Sequence, residues 1–128
     1  MNQLAVDTSA AVDYLRPDRT PPPQLADAEK VFVPLPVIGE LYAGAFSSAR
    51  RDENLRAIED LLRESTALLP DVDSARQYGQ LRAHAGGVVK PSKLNDLWIA
   101  ALCVQHDLPL LTNDGGFDGI PGLTVLHW

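Results

Sequence analysis

Short apolar runs recur along this chain, and the segments between them carry helical periodicity. The runs are Leu4-Ala5-Val6, Val31-Phe32-Val33, Ala67-Leu68-Leu69, Leu108 to Thr112 and Thr124-Val125-Leu126. Each is too short for a helix and too apolar for a loop, which predicts a buried strand. Between them, a helix is predicted after an N-cap at Thr8-Ser9, with Ala11, Val12 and Leu15 on one side. Pro17 and Pro21-Pro22-Pro23 mark a loop, and Gln24 to Ala28 a short helix. Pro34 stops the second strand, and Pro36 suits the first turn of a helix through about Ala45, with Val37, Leu41 and Gly44 at i, i+4, i+7. Asp52 to Glu64 is amphipathic, with Leu55, Ile58, Leu61 and Leu62 inward. A further helix runs from Ser74 to about His84, capped by Asp73 and ended by Gly86-Gly87, and another spans roughly Lys93 to His106. Strands that alternate with helices, most of them short and apolar, predict an α/β fold, its parallel sheet covered on both faces.

A chain of 128 residues, 45% hydrophobic and 22% charged, suits one domain spanning the whole of 1–128. The longest apolar stretch, Leu97 to Val104, is far too short for a bilayer. Met1-Asn2-Gln3 lacks a basic leader region, so no secretory signal is expected and a cytoplasmic location is. The single Cys103 has no partner for an internal disulfide and sits among apolar neighbours as a small core residue. A formal charge of −6 argues against a general nucleic-acid binder, so any such contact must come from local basic groups. Arg50-Arg51, Lys90 and Lys93 are the candidates for substrate binding.

Four acids interrupt this apolar pattern. Asp7 closes the first strand, Glu40 interrupts Val37 to Tyr42, Asp96 heads the apolar stretch Leu97 to Val104, and Asp114 follows Leu110-Leu111-Thr112-Asn113. Singly, each has an ordinary role: a helix cap, a solvated helix residue, a first-turn carboxylate, a turn residue. Asp7 and Asp114 lie just past strands and Glu40 early in a helix that follows one, which is the sheet edge where such folds bind ligands. Two carboxylates about 5 Å apart repel by about 3 kcal/mol at an effective dielectric of about 20, and four would accumulate on the order of 10 kcal/mol. A divalent cation reverses the sign. Oxygen-only donors suit Mg²⁺ or Mn²⁺, and the lack of a Cys/His cluster argues against zinc.

The segments Val6-Asp7-Thr8-Ser9, Ile38-Gly39-Glu40-Leu41, Asn95-Asp96-Leu97-Trp98-Ile99-Ala100-Ala101 and Leu111-Thr112-Asn113-Asp114-Gly115-Gly116-Phe117 resemble the four acidic motifs of PIN-domain ribonucleases, and within them the VapC-type toxins of bacterial toxin–antitoxin pairs. The resemblance spans the chain in order and spacing, down to Ile120-Pro121-Gly122-Leu123 before the last strand. It implies a three-layer α/β/α sandwich with a central parallel sheet, dependence on Mg²⁺ or Mn²⁺, and endonuclease activity on RNA. By motif position, Asp7, Glu40, Asp96 and Asp114 would be the metal-site acids, with Thr112 the nearby hydroxyl and Thr8 or Ser9 in support. The sequence departs at Gly116, where many relatives carry an acid before the Phe, and Asp114 fills the alternative acidic position.

Metal binding is expected chiefly of Asp7 and Asp96, with Glu40 as ligand or water-orienting base. A VapC-type toxin also implies a small VapB-type antitoxin, docking on the segments Pro36–Ala45 and Asp52–Glu64, and homodimerisation. The remaining residues have plainer roles: His84 and His106 as partners of helix C-termini, Trp98 as core, Trp128 as cover for the sheet edge. Two other classes bear comparison. A phosphatase of the haloacid dehalogenase type needs a second Asp where Ser9 stands, and a dinucleotide enzyme needs a Gly-rich turn after the first strand; the chain has neither. A PIN-like domain without activity, serving as a protein- or RNA-binding module, is the alternative that Gly116 leaves open.

Overall fold

The computed structural model describes residues 2–18, 20–86 and 93–128. The strands are β1 (Gln3–Val6), β2 (Lys30–Pro34), β3 (Thr66–Leu68), β4 (Leu110–Thr112) and β5 (Val125–His127), and the helices α1 (Thr8–Leu15), α2 (Pro23–Asp27), α3 (Leu35–Phe46), α4 (Arg51–Glu64), α5 (Val72–His84) and α6 (Leu94–Gln105). All strand pairs are parallel, in the order β3-β2-β1-β4-β5. The apolar runs explain this: Leu4, Ala5, Val6, Val33, Leu110 and Leu111 are buried, which a sheet achieves only when helices cover both faces. The result is the three-layer α/β/α sandwich. Helices α1, α3 and α4 pack on one another, and α5 packs on α6.

The chain builds outward from β1 through β2 to β3, then returns to the other side of β1 for β4 and β5. The direction therefore reverses between β1 and β4, where Ala5 pairs with Leu110 and Val6 with Leu111. Helices leaving neighbouring strands there diverge to opposite faces and open a crevice at the carboxyl ends.

Local chemistry sets the entries into the helices. Pro34 ends β2 and is also the N-cap of α3, so strand passes into helix without a loop. Pro36 falls in the first helical turn, where its missing N–H has no partner to lose. Two expected caps move. The N-cap of α1 is Asp7, whose Oδ1 accepts from the Ala10 N–H at 2.9 Å, and Thr8 is the first helical residue. The N-cap of α5 is Asp71, not Asp73, because Ser74 three residues on completes a reciprocal capping box with it. Gly86 adopts φ +88° just past α5, as a helix-ending glycine should; Gly87 and Lys90 lie outside the described residues.

Cys103 is buried in the main core, and burial, then the charge of Asp7, pushes its thiol up to about 12. It is an inert packing residue. Trp98 is half-buried rather than core and stacks on Tyr78 at a centroid distance of 4.2 Å, joining α6 to α5. No helix among the described residues is long and apolar enough to cross a membrane.

Candidate active site

Asp7, Thr8, Ser9, Glu40, Asp96, Ile99, Asn113 and Asp114 line one cavity of about 460 Å³. It lies at the carboxyl edge of the sheet where β1 and β4 part. Four chain segments supply its carboxylates: the turn after β1, the middle of α3, the first turn of α6 and the turn after β4.

Asp7 is the most firmly held. It is 5% exposed, and its Oδ1 accepts from the Ser9 hydroxyl at 2.6 Å as well as from Ala10. Its Oδ2 accepts from the hydroxyl of Thr112, which is fully buried. A carboxylate oxygen has about two acceptor positions, so Oδ1 is filled and Oδ2 keeps one free. Thr112 also accepts from the Asp114 N–H at 2.9 Å, and Ser9 from the Asn113 N–H at 3.3 Å. The turn after β4 is thereby tied to Asp7 through two hydroxyls.

Glu40 is gripped from both sides. Its Oε2 accepts from the Thr8 hydroxyl at 2.9 Å and its Oε1 from the Asn95 amide at 3.3 Å. Asp96 sits in the first turn of α6 with its side chain 28% exposed. Burial raises its carboxyl above the usual carboxylate range; the Lys93 ammonium opposes that shift, and the charges of Asp114 and Glu40 add to it. Asp114 caps the 3-10 turn Gly115–Phe117, its Oδ1 accepting from the Gly116 N–H at 2.9 Å.

The expected acids thus share one cavity, and Thr112 stands directly behind Asp7. Lys93 is at the rim, with its Nζ 3.5 Å from Asp96 Oδ2 and 4.0 Å from Asp114 Oδ2. Arg50 and Arg51 are elsewhere. They begin α4 beyond the far end of α3, and Arg51 is spent on Phe46, donating to its carbonyl at 3.2 Å and lying over its ring. Asn95 was not foreseen as a site residue, although it immediately precedes Asp96 in the most distinctive motif. His127 does not line the cavity; its Nε2 faces Asp118 at 2.9 Å and its Nδ1 the Thr112 carbonyl at 3.1 Å.

Among the described residues, no three Asp, Glu, His or Cys side chains converge as a ready metal cage. The donors nevertheless fit a hard divalent cation by their chemistry: carboxylates from four segments face one water-accessible cavity, with no thiolate or imidazole among its lining residues.

A family model described as "PIN domain" matches residues 4–123. Ribonuclease VapC5 of Mycobacterium tuberculosis is 30% identical over 97 residues, covering 73% of this chain and 71% of that protein. The solved VapBC-5 complex of the same organism matches with a TM-score of 0.71 at 27% identity, over 100% of both chains. VapBC-1 of nontypeable Haemophilus influenzae matches with a TM-score of 0.78 at 26% identity, over 98% of both. VapC-type ribonucleases are generally divalent-metal dependent, in keeping with the all-oxygen donor set. On the match across residues 4–123 and the identity to VapC5, the chain belongs to the PIN-domain family and, within it, to the VapC ribonucleases.

Proposed function

We propose that this protein is a Mg²⁺- or Mn²⁺-dependent endoribonuclease, the toxin of a type II toxin–antitoxin pair, acting in the cytoplasm as a single PIN domain. The observation that carries this reading is the lining of one cavity by Asp7, Glu40, Asp96 and Asp114, at the sheet edge where such folds bind ligands. Asp7, through Oδ2, and Asp96 are the principal metal ligands, with Asp114 completing the set directly or through water. A divalent cation bound there supplies Lewis-acid charge to the scissile phosphate and lowers the pKa of an attacking water.

The chain's own groups do the rest. Thr112 and Ser9 fix the Asp7 carboxylate, so its orientation costs nothing at the moment of reaction. Glu40, steadied by Thr8 and Asn95, orients the water and takes its proton. Lys93 sets a cation beside Asp96 and Asp114, whereas Arg50 and Arg51 would meet RNA only along an extended track.

The partner in this reading is a VapB-type antitoxin, as in the VapBC complexes that this chain resembles. Exposed Leu35 and Phe46 at the two ends of α3 support docking of an apolar antitoxin segment across α3 and α4. A homodimer belongs to the same proposal, and light scattering on the purified chain measures it. Mapping the ends of cellular RNA after expression of the wild type and of Asp7→Asn tests the activity. New ends appearing at defined sites with the wild type alone support the reading, and identical end profiles contradict it.

A further inference from the structure

Lys93 stands where helix physics does not favour it. It is the N-cap residue of α6, next to the positive end of the helix dipole, and its side chain makes no capping bond. A cation N-terminal to its acidic partner along a helix is also the weaker order for such a pair. What holds its Nζ is the pair Asp96 and Asp114, at 3.5 and 4.0 Å. Space for it comes from Gly116. A Cβ built there would lie 3.1 Å from the Lys93 Nζ and 3.2 Å from Asp114 Oδ1, so the glycine lets the ammonium and the carboxylate sit close together without adjustment.

We infer that Lys93 is a tethered counter-ion, holding the place between Asp96 and Asp114 until a divalent cation displaces it. The inference rests on the metal-dependent function proposed above. It makes Lys93 a positioning residue that sets how much free metal the enzyme needs. Two carboxylates relieved by a built-in cation gain less from binding metal than two that are bare. The metal must also break an ion pair before it enters. Because the lysine side chain is 48% exposed, this competition is modest and screened by salt.

The test is calorimetric titration of the full-length protein with MnCl₂ alone, without RNA, for the wild type, Lys93→Gln and Lys93→Arg. The Gln variant is expected to bind Mn²⁺ about five- to tenfold more tightly than the wild type, a gap that narrows as salt rises toward about 0.5 M. The Arg variant, which keeps the charge, stays within about twofold of the wild type. Equal or weaker Mn²⁺ binding by the Gln variant overturns the role, including the case where its RNA affinity falls and Lys93 proves to be a phosphate contact. Absence of Mn²⁺ binding in all three proteins overturns the metal-dependent function itself, a result distinct from binding that ignores Lys93.

Discussion

Asp7 serves the fold and the site with the same two oxygens. One end of its carboxylate caps α1 while the other takes the Thr112 hydroxyl, so the charge is oriented before anything binds. Substitutions separate the two duties. Asp7→Asn keeps an oxygen for the cap and is expected to lose RNA cleavage at a stability cost under about 1 kcal/mol. Asp7→Ala loses cleavage too, but also the cap and the acceptor of a buried hydroxyl, about 2 kcal/mol in a urea titration. Equal midpoints for the two variants would refute the capping role. Thr112→Val removes the donor to Asp7 and the acceptor of the Asp114 N–H; we expect a fall in kcat of about tenfold or more and a loss of about 1–2 kcal/mol, with Thr112→Ser close to the wild type. The sequence announces the four acids because each interrupts an apolar run. It is silent on Asn95 as a holder of Glu40, because an amide beside an acid looks the same whether or not it faces a carboxylate, and it points to Ser9 only through the family resemblance.

Among the elements, periodicity locates the helices but not their first residues. Asp73 looked the natural cap of α5, yet Asp71 takes the place, because its box with Ser74 also receives the Gln105 amide at 2.8 Å from the end of α6. That partner lies 34 positions on, beyond the reach of any local pattern. Ser74 is fully buried and also donates to Gln105 Oε1, so Ser74→Ala is expected to lower stability by about 1–2 kcal/mol by chemical denaturation, as the loss of a cap and a buried bond together. The edge strand β5 carries a pH-dependent clip. Hydrogen bonding to the Asp118 carboxylate raises the His127 imidazole above its ordinary value, against a smaller opposing effect of desolvation. A raised folded pKa gives stabilisation that is complete below the unfolded value of about 6.5 and is lost as pH rises through the folded one. Melting temperatures should therefore fall across that window in the wild type, and His127→Gln should flatten that part of the profile. An unchanged slope in the variant would contradict the clip.

At the scale of the whole molecule, the parallel sheet follows from central strands buried on both faces, Leu4-Ala5-Val6 and Leu110-Leu111-Thr112, while the order β3-β2-β1-β4-β5 leaves no mark on the sequence. Strand order is decided by which crossovers pack, a global property. That order sets β1 beside β4 and so brings Asp7 and Asp114, more than a hundred positions apart, to one crevice. The basic groups divide: Lys93 reaches the acids, whereas Arg50 and Arg51 lie past the far end of α3, since a helix leaving the carboxyl edge of a sheet ends at the opposite edge. A net charge of −6 leaves RNA affinity to a few local cations, and in the proposed mechanism a divalent metal would make the crevice hospitable to phosphate. The most direct measurement is cleavage of RNA by purified wild-type protein and Asp96→Asn, each in Mn²⁺ and in excess EDTA. Cleavage by the wild type in Mn²⁺ alone, and none by Asp96→Asn in either condition, is the expected result; cleavage that persists in EDTA, or in the Asp96→Asn protein with metal, would contradict the metal-dependent acidic site.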